Sequence, residues 1–320
     1  MQPVAVDVGH EDVKAWWAHD RSKWAALIHP APSETELGEY AQKPPAVTIN
    51  GVEYVVGEAA REVASALWSR DKANDEDTMR LHLVAAAELG ANGPVQLATG
   101  LPLSWWDEQR DDYKKALQGY GGVVITTSGI TRNLWFEKVI VLPQGLIAAG
   151  PVLSGPKYPP GPYLVIDFGS RTVDFLIVWK TATGGWKFDT KKADSLVDMG
   201  THEVDAAMAT KLSKKYHTVF TAPQIAKVDV VYAHGKAISI AEERFAQQTR
   251  LAEAVVRALQ EKLGNRMDQV LGTVVVGGGS HLIKRIKPDW IQPPDPEWAT
   301  VRGMYAAVVE AVRNSQANRA

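Results

Sequence analysis

Two stretches of this 320-residue chain follow one plan, about 160 residues apart. Val4, Ala5 and Val6 form a β-prone run that ends at Asp7-Val8-Gly9, and alternation resumes through Val13, Ala15 and Trp16. Residues 163–166 are an apolar run that ends at Asp167-Phe168-Gly169, and residues 173–179 read as a second strand. A carboxylate with a glycine two positions on ends a strand in a tight turn, so each stretch reads as a hairpin. One such turn is an ordinary strand end. Two, each opening one half of the chain, mark an internal repeat, and a chain of 320 residues fits one large two-lobed unit or two domains.

The remaining pattern fits that plan. In the first half, Val52–Val56 reads as a strand after an Asn50-Gly51 turn, a strong hairpin signal. Residues 58–67 and 78–89 carry apolar side chains at helical spacing, and strands are expected at 95–99, 123–127 and 135–142, with a helix at 107–117. The apolar stretch 145–150 suits a buried helix. Residues 155–162, GPKYPPGP, form the most turn-rich segment, so the halves divide as 1–154 and 155–320. Beyond it, helices are predicted at 200–215 and Ala241–Leu263, a strand at Thr273–Val276, and a closing helix at 300–312.

Composition removes several function classes. With no cysteine there is no disulfide, thiolate nucleophile, iron–sulfur cluster or thiolate zinc site. A net charge of −2 speaks against a surface that coats nucleic acid or steers to membranes. The eight histidines form no HExxH, since His202-Glu203 lacks its second histidine, and there is no G-x-S-x-G elbow. The start of the chain lacks a signal-peptide pattern, and no run of about 18 apolar residues would span a bilayer. The expectation is a cytoplasmic protein with no membrane partner. The basic residues of 61–72 and 211–215 read as solvated faces. The eleven tryptophans suit core packing or subunit contacts.

The paired turns ask for phosphate chemistry. A glycine lets consecutive backbone N–H groups approach phosphate oxygens, while a carboxylate at the strand end, Asp7 or Asp167, holds Mg²⁺ through its water shell. Lys14 and the hydroxyls of Ser170 and Thr172 add donors. A third segment, Val274-Val275-Val276-Gly277-Gly278-Gly279-Ser280, carries an apolar strand into a glycine run, where the backbone passes close to something flat or anionic.

In that order the segments resemble the actin superfamily. VAVDVGHEDVK is similar to its first phosphate loop, YLVIDFGSRTVDF to its second and VVVGGGSHLI to its adenosine loop. VLPQGLIAAG resembles the first connecting segment, and WATVRGMYAA, with Ala299, Arg302 and Gly303, the second. The GLP turn at Gly100-Leu101-Pro102 and the short chain resemble most the ParM/StbA plasmid-segregation actins and their archaeal relatives. The resemblance spans about residues 4–312.

The resemblance implies an α/β, actin-like, duplicated ribonuclease H-like fold, two lobes around a nucleotide cleft, with ATP or ADP and Mg²⁺ as cofactors. Asp7 and Asp167 would orient the hydrated Mg²⁺, and Lys14 would contact phosphate. Gly9, His10, Gly169, Ser170, Arg171, Thr172, Gly277, Gly278, Gly279 and Ser280 would line the nucleotide, and Gln144 would position the attacking water. The family commonly has a small hydroxyl residue where this chain has His10, which leaves backbone contacts there. Arg171 is long enough either to reach a phosphate or to extend into solvent. The implied activity is ATP hydrolysis coupled to filament assembly, with an indirect DNA link through a DNA-binding adaptor protein. The alternatives are a sugar-type kinase of the same fold, which needs an Asp base acting on an acceptor hydroxyl, and a non-polymerising ATP-binding scaffold.

Overall fold

The computed structural model describes residues 1–32, 45–61, 69, 71–189 and 192–317. The chain divides into two compact units, one of Met1–Ala148 with Thr300–Ala320 and one of Ala149–Ala299. The break thus falls six residues before the division expected at 154, and the last helix returns to the first unit.

The first unit holds strands β1 (Gln2–Val8), β2 (Asp12–Trp17), β3 (Asp20–Ala25), β4 (Ile28–Pro30), β5 (Ala46–Ile49), β6 (Val52–Val56), β7 (Gly93–Leu101), β8 (Gly121–Ile125) and β9 (Thr131–Pro143). Among the described residues they form one sheet in the order β3-β2-β1-β7-β9-β8-β5-β6-β4. Val4–Val8 is buried without interruption, as suits a central strand covered on both faces. β9 instead alternates: Leu134 and Phe136 point inward, then Val139 and Val141. The phase break between Phe136 and Val139 coincides with a register shift against β7 at Val95/Gln96, a bulge that resets which side chains face the core. Asn50 and Gly51 both have positive φ and close the β5–β6 hairpin, as the sequence predicts.

Helices α1 (Glu76–Glu88) and α2 (Leu103–Leu117) pack on this sheet. Asp75 caps α1 by accepting from the backbone of Asp77 and Thr78 at 3.1 and 3.3 Å. Of the helix expected at 58–67, residues 57–60 form a single 3₁₀ turn and residues 62–67 lie outside the described residues. α3 (Leu146–Leu153) leaves the first unit. The last helix returns to it because its glycine fits: a Cβ at Gly303 would lie 2.1 Å from the Ile147 carbonyl oxygen. The Tyr305 hydroxyl also accepts the Ala18 N–H at 3.0 Å.

The second unit is built on β10 (Gly161–Phe168) and β11 (Thr172–Lys180), joined by β12 (Trp186–Lys187), β13 (Asp194–Val197) and β16 (Thr273–Val276), with a separate hairpin of β14 (Val230–Ala233) and β15 (Lys236–Ser239). Its helices are α4 (His202–Tyr216), α5 (Ala222–Ile225), α6 (Ala241–Leu263) and α7 (Ser280–Ile286). α6 presents Ala252, Val255, Val256, Leu259 and Leu263 to a core that includes Leu164, Ile166, Phe175 and Val275. α4 buries Val204, Met208 and Leu212 against Ile225, Val231 and Ile240 in a second cluster. The chain closes with α8 (Ala299–Ala317).

Lys180, at the end of β11, is buried and donates to the carbonyls of Leu153 at 2.6 Å and Tyr158 at 2.7 Å. One ammonium thus fixes the proline-rich turn segment that the sequence marks as the division.

A buried polar chain crosses the first unit. His82 on α1 has Nδ1 2.8 Å from the Thr78 carbonyl and Nε2 2.8 Å from the Thr99 hydroxyl. A carbonyl only accepts, so the proton sits on Nδ1 and Nε2 accepts from Thr99. Burial pushes the His82 pKa down to about 3; the Thr78 carbonyl opposes this and the Lys72 charge adds to it. The folded pKa lies below the unfolded one, so this contribution is complete above about pH 6.5 and is lost as pH falls toward 3. Between pH 6.5 and 4.5, the unfolding free energy of the wild type should fall relative to His82→Gln by up to about 1.4 kcal/mol per pH unit. Urea titrations across that range check it, and a constant difference between the two proteins contradicts it.

Candidate functional site

In the first unit, β1 delivers Asp7 to the carboxyl end of a strand that pairs in parallel with β7 and antiparallel with β2, with Asp7 opposite Lys14. The Gly9 N–H donates to the Asp12 carbonyl at 3.0 Å and closes the turn. Asp7 is only 8% exposed. Burial raises its carboxyl above the usual range, while the charges of Lys14 and Lys72 and a bond from Gln144 pull it back. That bond runs from Gln144 Nε2 to Asp7 Oδ1 at 2.7 Å. Gln144 is seated by its own N–H on the Leu101 carbonyl at 2.9 Å. Gly100 leaves the space, since a Cβ there would lie 2.9 Å from Gln144 Cγ and 2.2 Å from Met304 Cε. The His10 ring stands edge-to-face against Trp105 of α2, with centroids 6.0 Å apart.

The second unit repeats this construction. β10 runs parallel to β16 and antiparallel to β11, and Asp167 lies opposite Asp174. The Gly169 N–H donates to the Thr172 carbonyl at 2.9 Å. A Cβ would meet that carbonyl oxygen at 3.2 Å, against 3.1 Å at Gly9 and Asp12. The two turns close with the same hydrogen bond and the same clearance at the glycine.

The glycine run crosses the end of β10. Gly277 has φ +88°, and a Cβ there would lie 2.5 Å from the Phe168 carbonyl oxygen and 2.6 Å from Asp167 Oδ1. The Gly279 N–H donates to that same Phe168 oxygen at 2.9 Å. Next to it, the carbonyls of Gly169 and Ser170 accept from the N–H groups of Thr201 and His202 at 3.2 and 2.8 Å. In a trans peptide the carbonyl and the following N–H point opposite ways, so the Ser170 and Arg171 amides are turned away from residues 200–202. Amides aligned in this way make an anion-binding concavity.

Within the first unit, then, Asp7, Gly9, His10, Lys14 and Gln144 come together, and within the second Asp167, Gly169, Ser170, Arg171 and Gly277–Gly279 do. One expected hydroxyl donor, Thr172, and one residue expected along the nucleotide, Ser280, have their hydroxyls bonded to protein. Thr172 donates to Asp174 at 2.9 Å. Ser280 is buried, donates to the Gly277 carbonyl at 2.7 Å and accepts from Gln292 at 2.8 Å.

Lys72 corrects the reading of 61–72 as a solvated face. It is 4% exposed and donates to the Val8 carbonyl at 3.0 Å. Periodicity carries no signal for it, because it comes from a turn and its partner is a backbone atom 64 residues away. A cavity of about 550 Å³ in the second unit, lined by Pro162, Trp179 and Val270 among others, sits where Pro162 pairs with Trp179, five residues along β10 from Asp167.

Among the described residues, no three His, Cys, Asp or Glu side chains gather as a cation cage. A hydrated Mg²⁺ does not need one, since it takes one or two carboxylates plus phosphate oxygens. Each unit offers one strand-end carboxylate of that kind, Asp7 in the first and Asp167 in the second.

A strand, Asp-x-Gly turn and strand occurring twice, each with a parallel neighbour, define an actin-like fold. The description "Actin like proteins N terminal domain" matches residues 5–146, and "Archaeal actin homologue MreB-like, C-terminal" matches residues 165–287. An archaeal actin homolog of Thermoplasma acidophilum is 25% identical over 95% of this chain and 97% of its own. The crystal structure of an archaeal actin homolog in complex with ADP superposes with a TM-score of 0.81 at 22% identity, covering 97% of this chain and 100% of that one. A 15-stranded ParM filament from Clostridium botulinum gives 0.81 at 18% identity, covering 97% and 99%. The chain belongs to the actin superfamily.

The glycine run yields a paired test. Gly277→Ala forces a Cβ onto Asp167 at a positive φ, whereas a Cβ at Gly278 meets nothing within 4 Å. Thermal unfolding should show Gly277→Ala destabilised by about 1–3 kcal/mol and Gly278→Ala within about 0.5 kcal/mol of wild type. Equal effects would contradict the packing described.

Proposed function

We propose that this chain is an actin-like ATPase that binds ATP with Mg²⁺ through both Asp-x-Gly turns, hydrolyses it to ADP and phosphate, and assembles into filaments while ATP is bound. The observation that carries this reading is the repetition of one turn, with the same carboxylate and the same glycine closure, in both units. The ADP-bound archaeal homolog and the ParM filament support it by likeness.

Bound Mg²⁺ supplies charge neutralisation at the phosphate oxygens. The remaining steps belong to the protein. The amides of both turns and Lys14 receive phosphate oxygens, and the glycine run 277–279 admits the nucleoside. Asp7 and Asp167 order the metal's water shell. Gln144 orients the attacking water: its nitrogen is held by Asp7, which leaves the amide oxygen to accept a hydrogen bond from that water. With little covalent work for the protein in phosphoryl transfer, positioning and electrostatics carry the rate.

Contacts from the γ-phosphate to both turns favour one arrangement of the units, and an interface that fits that arrangement turns nucleotide state into assembly. We propose a DNA-partitioning task, with a DNA-binding adaptor protein as the link, on the likeness to ParM.

Gln144→Ala should bind ADP with near wild-type affinity, release phosphate about 10²-fold more slowly, and give polymers that persist longer in light scattering. Unchanged phosphate release removes Gln144 from the mechanism. A wild-type protein that neither binds ATP nor pellets with it removes the whole reading.

A further inference from the structure

The two turns share a requirement that different groups meet. In each, the carbonyl between the aspartate and the glycine is bound from inside the protein. At Phe168 the donor is the Gly279 backbone N–H, at 2.9 Å. At Val8, the equivalent residue, it is the Lys72 ammonium, at 3.0 Å. We propose that Lys72 is a positioning residue for the first phosphate loop, holding the Val8–Gly9 peptide in the first unit as the glycine run holds Phe168–Gly169 in the second.

The geometry gives this bond a defined effect. A peptide is planar, so fixing the Val8 carbonyl also fixes the Gly9 N–H, which donates to Asp12 and closes the turn. Lys72 itself is held by a built segment. Asp71 accepts from the Asn74 N–H at 3.3 Å and from Asn74 Nδ2 at 2.7 Å, and Asp75 caps α1 while taking the Thr78 hydroxyl at 3.0 Å. Helix α2 packs on the same turn. A buried ammonium is expensive unless its bonds and neighbouring charges offset the cost. Here Asp7 and Asp75 supply the opposing charge. A backbone amide, as at Gly279, meets the same carbonyl without a charge. In the first unit the charge has a second effect, because it offsets the buried Asp7 carboxylate beside which phosphate is expected to bind. This inference rests on the nucleotide-binding reading.

The test compares ADP affinity with Mg²⁺ for wild type, Lys72→Met and, as a control for stability loss alone, Leu117→Ala in the same core. Hydrogen exchange of residues 8–12 is followed in each. Losing one charged hydrogen bond predicts that Lys72→Met binds ADP about 10- to 100-fold more weakly, with faster exchange at Gly9, while Leu117→Ala keeps wild-type affinity. Wild-type affinity in a folded Lys72→Met, or equal loss in Leu117→Ala, overturns the proposal. If Lys72→Met does not fold, Lys72→Arg decides, since it keeps donor and charge: a loss under tenfold supports the role and a larger one overturns it. Failure of the wild type to bind ADP refutes the nucleotide reading instead.

Discussion

The rest of the structure depends on one hydrogen bond made twice, from the glycine N–H of an Asp-x-Gly turn to the carbonyl three residues on, at 3.0 Å for Gly9 and 2.9 Å for Gly169. It ends the leading strand abruptly and leaves the aspartate at the strand's carboxyl end, where ligands of α/β sheets bind. Every neighbour that matters is placed with respect to it: Gln144 on Asp7, the glycine run across Asp167, and the 200–202 backbone beneath Ser170. A side chain at Gly200 would lie 2.2 Å from the Ser170 carbonyl, so a small residue there is as necessary as the turn glycine.

Duplication explains the common plan, and divergence explains the division of labour. Opposite each aspartate stands a different partner, Lys14 in the first unit and Asp174 in the second. Asp174 is buried and takes the Thr172 hydroxyl, so the second turn has a carboxylate where the first has the Lys14 ammonium. The first unit also carries Gln144, whose side-chain amide donates to Asp7. In the second unit, Gly277 and Gly279 bring the backbone close over the Phe168 carbonyl.

Much of this was legible in the residues themselves. The repeat of strand and turn at 7 and 167 is local chemistry, so it survives without knowledge of the fold, and the glycine run stands out for the same reason. The α6 stripe and the Asn50-Gly51 hairpin follow from period and turn type. Other parts were hidden because their causes are not local. Lys72 and Lys180 look like surface cations, yet each is buried on carbonyls from elsewhere in the chain. The hydroxyl of Thr172 reads as a ligand donor because a sequence does not show which acceptor is nearer. The return of α8 to the first unit depends on Gly303 meeting Ile147, a contact that hydropathy does not encode.

The central claim is that the two aspartates serve one Mg²⁺-nucleotide. Isothermal titration of ATP with Mg²⁺ into wild type, Asp7→Asn, Asp167→Asn and the double variant tests it as a thermodynamic cycle. Carboxylates that act on one metal and its waters should lose their contributions together, with a coupling of about 1 kcal/mol or more between the two substitutions. Strict additivity within about 0.5 kcal/mol, or unaltered affinity in either single variant, would contradict the account.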